Sequence, residues 1–383
     1  MFSGTLEYCR ICIVPNTRPN GQFNEQGICL PCQMSQLDQF EDFDRRLAEL
    51  QSMIHRTLRR RRHPKWDCIV GVSGGKDSTR QALWVREKLG LDPLLVCVGY
   101  PPRQVSANGM SNLSNLEAHG FDITFVGPAP VLSRRLVREA FLRFCNWCKA
   151  TEMALFAGVP RVAIDKKIPL IFWGENPALS VGDTGTLGQD KWDGNSLVNS
   201  NTLAGGDLTW FTEVAGDEKL LRMYQFPTRQ EIDDANVQTL FLGPAWRDWS
   251  AATNSHFAVA HGLRFRGGDP LRTGDLFGTQ MVDEDWTIVN FLLKYYKLGF
   301  SRGTEYANEL IRAGKIARDE GIVLAETYDE ACGDEYIDSF CRYIDLPESA
   351  FWQTVHEFTP PTLFDLSGQR PKARFKVGSG LVA

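Results

Sequence analysis

The chain has 383 residues, 43% of them hydrophobic, and a formal net charge of −5. That is enough apolar material for two or three domains with ordinary cores, and the acidic balance argues against a broad nucleic-acid-binding surface. No stretch approaches the roughly 20 apolar residues that span a bilayer, and the N-terminus lacks a basic segment followed by an apolar run. Membrane and secretory functions are therefore not suggested, and a cytoplasmic chain is expected.

Ten cysteines in a reducing compartment point to metal more than to disulfides where they are closely spaced. Cys9-Arg-Ile-Cys12 and Cys29-Leu-Pro-Cys32 are two Cys-x-x-Cys knuckles at the spacing of a four-thiolate zinc ribbon, expected over residues 1–40. Pro15, Pro19, Gly21 and Gly27 mark a turn-rich hairpin without an apolar core, so zinc supplies the stability, and four thiolates leave no open position for catalysis. Leu37, Phe40, Phe43, Leu47, Leu50 and Ile54 then recur at helical spacing, predicting an amphipathic linker helix over 35–58 within a linker region 41–65. It ends in the basic run 59–65, which reads as a solvated helix end stopped by Pro64.

Cys68, Ile69, Val70 and Val72 form a short apolar strand that runs into Ser73-Gly74-Gly75-Lys76-Asp77-Ser78 and then into a helix start. Such a strand suits a parallel sheet covered on both faces. The glycines let backbone N–H groups converge on an anion, while the helix N-terminus, Lys76 and the hydroxyls of Ser73 and Ser78 add charge and donors. Asp77 stands where a Walker A loop requires the magnesium-binding Ser or Thr, and Gly-x-Gly-x-x-Gly is absent. The loop resembles that of PP-loop ATP pyrophosphatases, which implies cleavage of ATP between the α and β phosphates and transfer of AMP to a substrate oxygen.

Further strands are expected at 94–98, 123–126 and 169–173, with helices at 78–89 and near 113–119. This alternation predicts a doubly wound parallel sheet with right-handed crossovers over residues 66–225. Ligands bind beyond the carboxyl ends of such strands, which selects 73–78, 99–110 and Gly174-Glu175-Asn176-Pro177. Glu175 and Asn176 are candidate active-site groups, with turn chemistry before Pro177 as the competing reading. Cys145-Asn-Trp-Cys148 lies in a helical pattern. Two thiols do not complete a metal site, and these cysteines, with Cys68, Cys97, Cys332 and Cys341, read as packing residues.

Residues 180–220, rich in Gly, Asp, Asn, Ser and Thr around Trp192 and Trp210, read as a mobile loop or substrate lid. A helical domain over 226–359 is expected, with helices at 282–298, 304–313, 317–328, 334–344 and 347–358, Pro347 standing in a first turn. The tail 360–383 carries no pattern.

Taken in order, the chain resembles the N-acetyl sugar amidotransferases of the WbpG/PseA type, nearly end to end. The resemblance rests on Cys9-x-x-Cys-x-x-Pro-Asn-Thr-Arg-Pro19, the PP-loop, Asn112-Leu-x-Asn-Leu-x-x-x-Gly-Phe-Asp122, Ile168-Pro-Leu-Ile-x-Trp-Gly-Glu-Asn176 and Lys297-Leu-Gly-Phe-Ser-Arg-Gly-Thr304. It implies an α/β fold of PP-loop (adenine nucleotide alpha hydrolase-like) type, with an N-terminal zinc ribbon and a C-terminal helical region. It further implies ATP, Mg2+ and structural Zn2+, and conversion of an acetamido group on a bacterial surface sugar to an acetamidino group. On this reading Ser73, Gly74, Gly75, Lys76, Asp77 and Ser78 bind ATP, with Asp77 serving magnesium or loop geometry. Lys76, Asp77 and Glu175 are catalytic, Glu175 handling protons. Asn176, Arg272 and Arg302 contact an anionic nucleotide-sugar substrate, and Cys9, Cys12, Cys29 and Cys32 hold zinc.

None of the six histidines begins a His-x-Glu of a glutaminase triad, and residue 2 is Phe. Ammonia is therefore expected from separate HisH/HisF-like glutaminase and ammonia-channel subunits, as the resemblance implies. The competing reading is a PP-loop tRNA thiolase, with an iron–sulfur cluster on Cys145, Cys148 and a third cysteine.

Overall fold

The computed structural model describes residues 4–38, 42–60, 65–99 and 106–382. The chain opens as a loop module in which two antiparallel bridges, Tyr8 to Pro15 and Phe23 to Cys29, bring the cysteine knuckles together. Helix α1 (Leu30–Asp38) starts inside the second knuckle and α2 (Phe43–Arg60) follows. The single helix expected over 35–58 is thus two, because the second cysteine knuckle itself launches a helix that carries Cys32. Phe40 and residues 61–64 of the basic run, Pro64 among them, lie outside the described residues.

Five parallel strands form the centre: β1 (Cys68–Gly71), β2 (Pro93–Val98), β3 (Ile123–Val126), β4 (Leu170–Trp173) and β5 (Gln238–Phe241), in the order β3-β2-β1-β4-β5. Helices α3 (Lys76–Leu89), α4 (Ala107–Ala118), α5 (Pro130–Phe144) and α6 (Cys148–Lys166) lie between the first four strands in sequence. Alternate strand residues bury on opposite faces, as a period of two requires. Val70, Leu95, Cys97 and Phe172 pack with Leu50 and Ile54 of α2 and Leu83 of α3. Ile69, Val96, Val98 and Ile171 pack with Val159, Val162 and Ala163 of α6. The sheet is doubly wound, and its strand order reverses at β1, so the ligand crevice of such a sheet falls beside the residues that follow β1.

Beyond β4 come α7 (Pro177–Ser180), α8 (Thr209–Ala215) and α9 (Arg229–Ala235), and then β5. The sheet therefore takes its edge strand from beyond residue 225, where sequence reading expected only helices. A four-residue edge strand carries too few apolar positions to declare a period of its own. The segment read as a lid is also packed: Trp192, Leu197, Leu203 and Phe211 are buried, and Phe241 N donates to Trp192 O at 3.0 Å. Its polar residues serve turns, such as those in which Asp183 and Asp193 accept from backbone N–H groups two residues on.

The remaining helices are α10 (Ala251–Ala260), α11 (Pro270–Thr273), α12 (Thr287–Leu298), α13 (Arg302–Arg312), α14 (Arg318–Tyr328), α15 (Asp334–Ile344) and α16 (Glu348–Phe358). Pro347 is the N-cap of α16 rather than a residue of its first turn. The helix expected from 282 begins at Thr287, because the preceding residues turn Asp283 and Glu284 inward. The featureless tail folds as two short hairpins, β6 (Phe364–Asp365) with β7 (Lys372–Ala373) and β8 (Phe375–Lys376) with β9 (Gly380–Leu381). Phe364 and Phe375 meet edge-on at 5.6 Å, and Phe364 packs on Tyr296 of α12. Cys145, Cys148, Cys332 and Cys341 lie in the same apolar cluster, and Cys68 and Cys97 in the sheet core. Among the described residues no helix is long and apolar enough to cross a membrane.

Candidate nucleotide site and four-cysteine cluster

The loop after β1 is built by close approach. Gly74 has φ +84°, and a Cβ there would lie 2.4 Å from the carbonyl oxygen of Gly109 in α4, so only glycine lets the two turns touch. Asn112 of α4 fixes the contact: its Nδ2 donates to Gly74 O at 2.8 Å and to Arg264 O at 3.1 Å, while its Oδ1 accepts from Arg264 N. One turn further on, Asn115 Nδ2 donates to His261 O. The two asparagines of that sequence motif thus stitch α4 to the loop and to the segment after α10. Gly75 is the N-cap of α3, so the helix's first N–H groups face the crevice.

Lys76 is only 2% exposed, and its Nζ donates to Asp77 Oδ2 at 2.6 Å. Asp77 Oδ1 in turn accepts from Asn254 Nδ2 of α10 at 2.7 Å. Asn254 is held by Arg80, whose Nη1 reaches its Oδ1 at 2.5 Å and whose Nη2 pairs with Asp248 at 2.7 Å. Burial pushes the Asp77 carboxyl up, but the charge and hydrogen bond of Lys76 and the amide of Asn254 outweigh it, so the group is held below its ordinary value. Its side chain stays 41% accessible, open toward the crevice. Ser78 Oγ donates to Gly75 O at 3.2 Å, and Asp283 accepts from the Ser73 hydroxyl.

A cavity of about 280 Å³ adjoins these groups. The loop forms its polar end. Val96, Val98, Leu155, Phe156 and Trp173 form an apolar wall, on which Cys148, Thr151 and Glu152 also open. Burial pushes the Glu152 carboxyl up to about 7. This combination of an anion-binding turn and an apolar slot suits a nucleotide. A larger cavity of about 690 Å³ lies on the other side of Phe156 and Trp173, against Arg161 and Thr239, and no loop residue lines it.

Glu175 follows β4 with its side chain open to solvent at the cleft, and desolvation by the surrounding protein, then the charge of Asp77, raises its pKa. Asn176 is buried and its Oδ1 caps α7 at Ala178 N, 3.0 Å, which is the turn chemistry expected before Pro177. Glu309 of α13 caps the start of α10 at Ala251 N, and it too is raised, by desolvation. Lys76 and Arg302 both act on Glu309, and Arg302 on Asp77. The structure thus puts Lys76 and Asp77 on the lining of the smaller cavity, with Glu175 near enough to feel Asp77 and Arg302 near enough to act on Asp77 and Glu309, although neither Glu175 nor Arg302 lines it.

It does not bring Arg272 there. That exposed side chain is paired with Glu335 instead, Nε to Oε1 at 3.1 Å. Sequence reasoning missed Asn254, Asp283 and Glu309, which belong to no local motif. The available signal for Glu309 was its place two turns after Arg302 on one helical stripe.

The sulfurs of Cys9, Cys12, Cys29 and Cys32 lie within 4.8 Å of one another, all buried, with Cys12 and Cys29 at 3.7 Å. Zinc–sulfur bonds of about 2.3 Å in a tetrahedron separate sulfurs by about 3.8 Å, so the set fits a metal. Cys9 Sγ also accepts from Ile11 N and Cys29 N at 3.4 Å, orienting the sulfur. Among the described residues this is the one group of three or more possible ligands at such spacing, and it does not include Cys145 or Cys148.

Residues 277–376 match the family model described as LPS biosynthesis protein WbpG-like, C-terminal domain, a stretch that holds Asp283, Arg302 and Glu309. No curated protein matches the chain. Among solved structures, the U34-tRNA thiolase NcsA from Methanococcus maripaludis with its 4Fe–4S cluster is similar at 15% identity and a TM-score of 0.30. The similarity covers 70% of this chain and 78% of that one.

Proposed function

The chain is of the WbpG type, and from that premise we propose that it is an ATP-dependent, AMP- and pyrophosphate-forming amidotransferase. It converts an acetamido group of a bacterial surface-polysaccharide sugar to an acetamidino group. The sugar is a UDP-linked 2,3-diacetamido uronic acid or a nonulosonic acid, in lipopolysaccharide O-antigen or related glycan synthesis. The observation that carries the reading is the buried Lys76 at the switch point of the sheet, in one cleft with groups from the WbpG-like region.

An amide carbon is a poor electrophile and its oxygen a poor leaving group, which adenylation corrects. The amide oxygen attacks the α-phosphorus while the bond to pyrophosphate breaks. Ammonia then adds through its lone pair to the imidate carbon, loses a proton, and the C–O bond to AMP breaks to leave the amidine. Lys76, the loop N–H groups and the start of α3 receive the negative charge of departing pyrophosphate. Magnesium bound with ATP would neutralise phosphate charge, and Asp77, accessible toward the cavity, is the carboxylate available to it.

Glu175 takes the proton from adding ammonia, its raised pKa making it a stronger base than an ordinary carboxylate. Zinc on the four cysteines is structural, because the set is closed. Ammonia comes from HisH/HisF-like partner subunits, so the chain alone releases no glutamate from glutamine.

The test is pyrophosphate release from magnesium ATP with ammonium chloride, comparing UDP-linked diacetamido uronic acids with bulk tRNA and using Lys76→Ala as control. Release that requires the sugar, with a product lighter by the difference between O and NH, is the expected result. Release that requires tRNA would favour the thiolase reading, for which Cys145 and Cys148 have no third ligand beside them among the described residues.

A further inference from the structure

Two motifs from opposite ends of the chain meet at Glu305. Arg18, in Pro15-Asn-Thr-Arg-Pro19, places Nη2 2.8 Å from Glu305 Oε1. Lys294 Nζ of α12 lies 2.5 Å from the same oxygen, and Arg302 Nη1 of α13 reaches Oε2 at 3.0 Å. The ring of Phe300 sits under both Arg18 and Lys294, 4.8 and 4.7 Å from its centre. Side-chain exposures are 11% for Arg18, 22% for Lys294, 19% for Arg302 and 13% for Glu305, so the set is poorly hydrated.

Three cations therefore share one carboxylate, and desolvated charge is costly unless compensated. Desolvation already lowers Lys294 to about 8. Moreover, Nε of Arg18 and Nε of Arg302 are both buried without a hydrogen-bond partner. The neighbouring acids are otherwise engaged: Asp329 accepts from Thr304 N and Oγ1, Asp77 from Lys76 and Asn254, and Glu309 from Ala251 N.

A clamp joining the cysteine module to the helices would not need this surplus. Uncharged contacts already make that join, with Ile13 N on Asn308 Oδ1 at 2.8 Å and Thr17 Oγ1 on Leu298 O at 2.5 Å. Two guanidinium forks with idle N–H groups beside an ammonium are the donor set of an anion receptor.

We infer that Arg18, Lys294 and Arg302 form a receptor for a carboxylate or phosphate of the sugar substrate, with Glu305 as the internal anion that keeps the donors oriented. The four-cysteine module thereby contributes directly to substrate binding through Arg18. The inference rests on the amidotransferase reading for the identity of the substrate, and on the geometry for the rest.

Binding to the full chain tests it by calorimetry, with UDP-N-acetylglucosaminuronic acid, UDP-N-acetylglucosamine and a non-hydrolysable ATP analogue with magnesium as probes. Arg18→Gln and Arg302→Gln are each expected to weaken the acid probe at least about tenfold and to leave the ATP analogue within about twofold. Loss confined to the acid probe identifies a carboxylate receptor, and equal loss of both sugars a diphosphate receptor. Arg18→Lys, which keeps charge but not the fork, should fall between.

The inference is overturned if the native chain binds neither sugar, if both Gln variants bind the sugars as the native chain does, or if only the ATP analogue is lost. Lower melting temperature in Arg18→Gln and Arg302→Gln without lost sugar affinity would mark a clamp and overturn it equally. Sugar binding without amidine formation would instead sink the amidotransferase reading and leave the receptor standing.

Discussion

The loop at 73–78 and the cluster around Glu305 both concentrate positive charge, but from opposite materials. The loop takes its donors from six contiguous residues, positioned by the end of β1, the start of α3 and a glycine at φ +84°. The cluster joins residues as far as 287 positions apart, and Arg18 reaches it only because the cysteine module docks on α12 and α13. A contiguous site inherits its geometry from local backbone rules. An assembled site inherits it from every interface between its parts, so the two should fail for different reasons.

The largest separation is expected from Lys76→Ala. Lys76 is buried with Asp77 as its partner, so its loss removes the charge proposed to meet the departing pyrophosphate and leaves Asp77 hydrogen-bonded by Asn254. Pyrophosphate release should fall by about 10²–10³, the range for removing one preorganised donor from developing negative charge. Affinity for UDP-N-acetylglucosaminuronic acid should stay within about twofold. If calorimetry showed that affinity falling with the activity, the two sites would be one, and the contrast drawn above would be wrong.

Opening the four-cysteine set tests the other side. Cys12→Ser, or a chelator that removes any ion the cysteines hold, opens the four-sulfur set that stands in for an apolar core in residues 4–32. Arg18 and the contacts of Ile13 and Thr17 should then lose their placement. The acid sugar should bind at least about tenfold more weakly while the ATP analogue changes by less than about threefold. Metal content measured by mass spectrometry should fall in step with sugar affinity. Equal loss of both ligands would mean that the module supports the loop as well.

This contrast also explains what the sequence discloses. The strand, the glycine turn, the helix start and the two Cys-x-x-Cys knuckles are local patterns, and each is found at or beside its expected place, the helix beginning at Lys76 rather than at Ser78. The strand β5 is not, because four residues at a sheet edge carry no distinctive period. Residues 180–220 look like a lid because their polar side chains serve turns, while Trp192, Leu197, Leu203 and Phe211 are buried beneath them. Arg272 and Arg302 are indistinguishable as letters. Only packing decides that one rests on exposed Glu335 and the other faces Glu305 beside the cleft.

Asn254 gives a sharper test of the loop, since it holds Asp77 without belonging to the loop's sequence. Asn254→Ala frees Asp77 Oδ1 and leaves Arg80 with Asp248. Pyrophosphate release is expected to fall about tenfold through misplacement of Asp77, with ATP affinity changed less than turnover. A parallel loss of affinity and turnover would mean that Asn254 supports the loop's fold rather than Asp77's aim.

The smallest effect distinguishes the apolar side of the candidate nucleotide cavity from its charged end. Burial raises Glu152 from 4.5 to about 7. Between those values the folded chain binds more protons than the unfolded one, so stability falls as pH rises through this window, and below it the group makes no difference. Glu152→Gln, which mimics the protonated form, should therefore match the native chain near pH 4.5 and exceed it above pH 7 by about 1–2 kcal/mol. That figure is discounted from the full shift because water reaches part of the side chain. A nucleotide filling the cavity removes that water and adds phosphate charge, both of which favour the protonated carboxyl. The native chain should thus take up protons when it binds the ATP analogue near pH 7, seen as a binding enthalpy that depends on the buffer's ionisation enthalpy, and Glu152→Gln should not. Identical buffer dependence in the two chains would place the nucleotide away from this wall while leaving the loop's role with the phosphates intact.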